Sequence, residues 1–175
     1  ALNAGIDTAT GAAGGRVTLN ADTNALTIAS AGGINADGLV SLTGAGGIST
    51  AGDVTTTNDN VTYNSATTLT GNVLVNTGTG AGTIQFANTL NGTAANTQTL
   101  GLTAGTGNVT FSNTVGATTA LGAVTISSAA DVGLTNTFKA ASLTQTAGTG
   151  TTTVGGLLTA NTGNVNIKTA TIALN

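Results

Sequence analysis

Val109-Thr110-Phe111 is the stretch that decides the fold. In an extended chain its first and third side chains share one face and Thr110 takes the other. Alone it is a strand fragment; its weight comes from repetition. The same pattern of apolar, small or polar, apolar reads Val17-Thr18-Leu19, Val40-Ser41-Leu42, Val61-Thr62-Tyr63, Ile84-Gln85-Phe86, Val132-Gly133-Leu134, Thr152-Thr153-Val154 and Ile172-Ala173-Leu174. The steps between the eight triplets are 23, 21, 23, 25, 23, 20 and 20 residues. The first slot is β-branched in every copy, and Tyr63, Phe86 and Phe111 put an aromatic in the third slot of three consecutive copies. A near-constant step of this length is the signature of a repeat architecture.

Two further apolar series run between the triplets. One is Ile28, Ile48, Leu69, Leu90, Val115, Phe138 and Leu157; the other is Ile34, Val54, Val73/Val75, Leu100/Leu102, Val124/Ile126, Leu143 and Val165/Ile167. Three series sharing one period and one order predict an all-β fold, a parallel β-helix or β-solenoid. Each coil has three short strands and about 20–25 residues. Such coils stack about 4.8 Å apart through parallel backbone hydrogen bonds, so eight make a rod roughly 35–40 Å long. The expected inward ladder is Val17, Leu19, Val40, Leu42, Val61, Tyr63, Ile84, Phe86, Val109, Phe111, Val132, Leu134, Val154, Ile172 and Leu174. The aromatic trio reads as an internal stack, because its β-branched partner two residues earlier shares its face.

Gly, Asn and Thr fill the segments between strands, as in Gly44-Ala45-Gly46-Gly47, 77–82, 104–108 and 147–150. Gly supplies the positive φ that corners need and Asn tolerates it, so variation in coil length is expected here. A helical fold fails because Gly is frequent, Glu is absent and no stretch sustains a spacing of three and four. A two-sheet sandwich also shows short strands and regular turns, but it does not require three strand classes in constant order.

Composition narrows the chemistry. Thr (40), Ala (29), Gly (27) and Asn (19) dominate the 175 residues, and only 5% are charged. Abundant β-branched residues and low charge oppose disorder. The three basic residues, Arg16, Lys139 and Lys168, are scattered, whereas a phosphate backbone needs clustered cations; nucleic acid is not an expected partner. No apolar run approaches the length of a membrane span, so membrane insertion is not expected either. Without Cys there is no disulfide or thiolate site. The absence of His removes the commonest general base and metal ligand.

The carboxylates are Asp7, Asp22, Asp37, Asp53, Asp59 and Asp131. Asp53 and Asp59 form the nearest pair, yet nothing around them resembles a paired acid and base, and all six read as corner aspartates. Neither Lys follows Gly, so the Gly-rich runs lack a phosphate-loop signature. No enzyme activity, cofactor or metal is expected. Glycosylation sequons begin at Asn60, Asn91 and Asn108, as composition alone would produce. The middle slots Thr18, Ser41, Thr62, Gln85, Thr110, Gly133, Thr153 and Ala173 face outward. Such a face could take host or matrix glycans or ice, although Gln85 breaks a flat threonine lattice.

With the ladder, the Gly-Asn-Val strand starts (Gly71-Asn72-Val73, Gly107-Asn108-Val109, Gly163-Asn164-Val165) and the Thr-Gln-Thr-Ala-Gly-Thr-Gly run at 144–150 in view, the chain resembles bacterial β-strand-repeat surface proteins, relatives of filamentous haemagglutinin-like exoproteins. The resemblance implies a right-handed helix, export to the bacterial cell surface, and a stalk, adhesive or filament role. The ladder persists to Leu174, and Ala1-Leu2-Asn3 repeats Ala173-Leu174-Asn175. The expectation is therefore one segment, residues 1–175, of a longer array, with neighbouring coils or identical segments stacked end to end.

Overall fold

The computed structural model describes residues 1–9 and 14–175, and among them there is no helix. The chain winds through about 7 turns of roughly 22 residues, and its strands stack into three parallel sheets. This is the β-solenoid that the three series predict. Val, Ile, Thr and Phe fit a pleated surface buried on one side, and the segments between strands are rich in Gly, Asn and Thr.

The first sheet contains the triplets. Its eight strands are Val17–Ala21, Val40–Gly44, Val61–Tyr63, Ile84–Phe86, Val109–Phe111, Val132–Leu134, Thr151–Val154 and Thr171–Leu174. They pair in one register, so first slots lie over first slots from Val17 to Ile172 and third slots over third slots from Leu19 to Leu174. Leu26–Ile28, Ile48–Thr50, Thr67–Leu69 and Leu90–Gly92 make a short second sheet. The third begins Ile6–Asp7, Ile34–Ala36, Val54–Thr56, Val73–Asn76 and Leu100–Thr103. It continues through the long strands Leu121–Ser128 and Phe138–Gln145. Phe138–Gln145 runs across two faces, pairing with Leu158–Ala160 at one end and Val165–Ile167 at the other.

The register corrects the second apolar series, which merges two columns. Leu26, Ile48, Thr67 and Leu90 form one column, prolonged through Val115 to Phe138 and Leu158. Ile28, Thr50 and Leu69 form the other, two residues along the same strands. Thr50 and Thr67 are therefore core residues. Their hydroxyls are satisfied locally: Thr67 Oγ1 donates to the Ser65 carbonyl at 2.9 Å, and Thr50 Oγ1 accepts from the Gly52 amide at 3.3 Å. Leu158, not Leu157, takes the rung over Phe138; Leu157 is 71% exposed.

Asn takes the positive-φ role at Asn58 and Asn96, as the corner composition predicts. The longest step, from Ile84 to Val109, gains residues in a loop at 93–97, which contains no Gly. The Gln98 side chain organises it, with Oε1 accepting from the Thr93 and Ala94 amides at 3.0 Å each. Asn96 supplies the positive φ of 61°. Gly is indispensable elsewhere: Gly116 has φ 66°, and a Cβ there would collide with the Lys139 carbonyl of the next coil.

Candidate functional site

The inward ladder is the most ordered constellation in the molecule. Val40, Leu42, Val61, Tyr63, Ile84, Phe86, Val109, Phe111, Val132 and Leu134 are essentially solvent-free; Val17 and Val154 are also buried, and Leu19 is half-buried against the core. Ile172 and Leu174, expected as core, hold their rungs in register but are 51% and 77% exposed. No described coil lies over them.

Tyr63 stacks on Phe86 with centroids 4.6 Å apart and planes 13° from parallel, and Phe86 stacks on Phe111 at 5.4 Å and 4°. Phe138, from another wall, meets Phe111 edge-on at 5.4 Å and 79°. Coil stacking sets this spacing, and offset or edge contacts suit the ring quadrupoles. The Tyr63 hydroxyl is buried without a hydrogen-bond partner. Burial, and then the negative charge of Asp53, hold its pKa well above the ordinary 10.0. A buried side-chain pair spans one coil: Thr152 Oγ1 donates to Gln145 Oε1 at 2.7 Å across the interior, while among the described residues Gln145 Nε2 lacks a partner.

A second constellation, not assigned from the sequence, runs along the corners. Asn60 Oδ1 accepts from the Thr83 amide at 2.9 Å, Asn72 from Thr99 at 3.0 Å, Asn91 from Thr118 at 3.0 Å and Asn108 from Asp131 at 3.0 Å. Each bond joins one coil to the next. The three sequon asparagines belong to this set, and so do the asparagines of Gly71-Asn72-Val73 and Gly107-Asn108-Val109. For Asn60, Asn72 and Asn108 the legible signal is an Asn directly before a strand; Asn91 acts from within the strand Leu90–Gly92. Aspartates do the same work: Asp53 Oδ1 accepts from Leu74 N at 2.8 Å and Asp131 Oδ1 from Thr151 N at 2.7 Å. These acids thus stand as corner acceptors. Among the described residues no group of three or more His, Cys, Asp or Glu could hold a metal.

The outward face of the triplet sheet carries four threonines in eight positions. Gln85 interrupts it, reaching Ser112 Oγ at 3.4 Å, and Gly133 leaves a gap. The surface is more sharply shaped at the corner that follows this sheet. There a groove of about 570 Å³ lies over Gly44–Gly47 and is rimmed by Asn20, Asp22, Asn64 and Asn88. No helix among the described residues is long and apolar enough to cross a membrane. Compared with protein-family models, curated proteins and solved structures, the chain matches none.

Proposed function

We propose that the chain is a structural rod segment of a large secreted bacterial surface protein, serving as an adhesin stalk or as the subunit of an extracellular filament. The observation that carries this reading is the unbroken register of eight triplets along one axis. A solenoid is quasi-one-dimensional: each coil contacts its neighbours, and adding coils adds length without changing width. A rod of this kind spaces one object from another. The composition supports an exposed working place, because the three basic residues leave trypsin-like proteases few sites and the fold needs no disulfide. The sequence resemblance to β-strand-repeat surface proteins points the same way.

Antibodies raised against the purified chain test the location. They should label intact source cells; labelling only after permeabilisation would sink the reading. Electron micrographs of the purified chain then separate the two roles. Fibres mark a filament subunit, and single short rods mark a stalk segment.

A further inference from the structure

The corner groove beside the triplet sheet has a ligand chemistry that can be reached by elimination. It crosses four successive coils, from Asn20 beside Leu19 to Asn88 beyond Phe86. At the coil spacing of a parallel sheet this is a channel about 14 Å long. Its floor, Gly44–Gly47, projects only the Ala45 methyl.

The floor amides are already used. Gly44 N donates to Ser65 Oγ at 3.1 Å, Ala45 N to the Ala21 carbonyl at 2.9 Å, Gly46 N to Asn24 at 3.1 Å and Gly47 N to Gly44 at 2.9 Å. A peptide adding as a strand needs free backbone groups, and here the donors are taken. Among the described residues no basic side chain lines the groove and Asp22 does, so an anionic ligand is repelled. Its apolar side-chain groups are the methyls of Thr43, Ala45 and Ala66, with no large aliphatic or aromatic anchor for a hydrophobic occupant.

Carboxamides and hydroxyls remain, and they are held in place. Asn64 Nδ2 donates to Ser41 Oγ at 3.0 Å, the Leu42 carbonyl at 3.2 Å and Thr43 Oγ1 at 3.2 Å, which leaves Oδ1 as its free acceptor among the described residues. Asn20 Nδ2 is fixed on Asp22 at 2.5 Å. Asn88 Oδ1 accepts from the Thr89 amide at 2.8 Å, which leaves its NH₂ as a donor. Rim side chains already hydrogen-bonded in this way lose less rotamer freedom on binding than free ones. The free acceptor of Asn64 and the free donor of Asn88 lie on adjacent coils about 4.8 Å apart, a spacing that suits successive hydroxyl-bearing units of a chain.

We propose that this groove is a binding site for a neutral oligosaccharide chain. The proposal stands independently of the rod's location. Cellohexaose, maltohexaose, chitohexaose and mannohexaose are titrated into the isotopically labelled chain, with a heparin hexasaccharide as anionic control, while amide resonances are followed. At least one neutral hexasaccharide should shift the resonances of residues 43–47 and 64–66 saturably. Ala45→Trp, which fills the channel from an exposed position, should weaken it roughly tenfold or more. Asn88→Asp, which keeps an acceptor for the Thr89 amide and removes the NH₂ donor, should weaken it several-fold with unchanged thermal unfolding. Silence from all four neutral sugars, shifts with heparin alone, or undiminished binding by Ala45→Trp would each overturn the assignment.

Discussion

Tyr63 is the polar member of an otherwise hydrocarbon stack, and its hydroxyl has no partner. A buried donor left unmade costs about 1–3 kcal/mol. Tyr63→Phe should therefore stabilise the chain by about 1 kcal/mol, read from denaturant or thermal unfolding. It should also change the alkaline limb. The native state holds the phenolic proton more tightly than the unfolded chain, so this contribution is whole below pH 10.0 and is lost as pH rises towards the higher native value. In the wild type the phenolate absorbance of this single tyrosine should develop with unfolding, not before it; in Tyr63→Phe that alkaline loss should vanish. The stack itself was legible, because three aromatics at one step and in one slot leave few geometries. Thr50 and Thr67 were not, since Thr serves equally on an outward face and, with its hydroxyl turned to a neighbouring backbone group, in a core.

At the scale of strands and corners, stability rests on two kinds of coil-to-coil bond. The ladder amides pair along the strands. Beside them Asn60, Asn72 and Asn108 fasten the corners, where the strand pattern lapses, and Asn91 reaches the next coil from within its strand. Asn108→Ala should cost about 1 kcal/mol and speed hydrogen exchange at the Asp131 amide above the rate of its strand neighbours. An unchanged rate there would show the bond to be idle. Strand positions follow from alternation, so all eight triplets fall in register. Corners do not, because their conformations depend on single side-chain bonds. The loop at 93–97 forms around one carboxamide, Gln98. The choice of Leu158 over Leu157 depends on how the chain leaves Gly156, where two adjacent leucines offer the same hydrophobicity.

Across the whole molecule, burial is graded along the axis. Central rungs are sealed, while Val165, Ile172 and Leu174 are open to solvent. Local opening should follow this gradient. In the 175-residue chain the amides of 158–174 should exchange first and those of the Tyr63-to-Phe111 coils last; uniform protection would contradict a nearest-neighbour array. Architecture was readable because periodicity reports geometry directly, whereas the groove was not, because its rim gathers Asn20, Asn64 and Asn88 from three different coils. The buried Gln145–Thr152 bond bears on a different problem. In a chain of near-identical coils, any coil can be mistaken for its neighbour during folding, and a slip of one whole repeat preserves the inward pattern of a strand. Gln145 and Thr152 lie seven residues apart in one coil, so their bond travels with that coil and a slip that keeps the coil whole leaves it intact. The bond therefore fixes the shape of one coil and not its place in the stack: it ties Phe138–Gln145 to Thr151–Val154 from inside the corner between them, at the cost of an unpartnered Nε2.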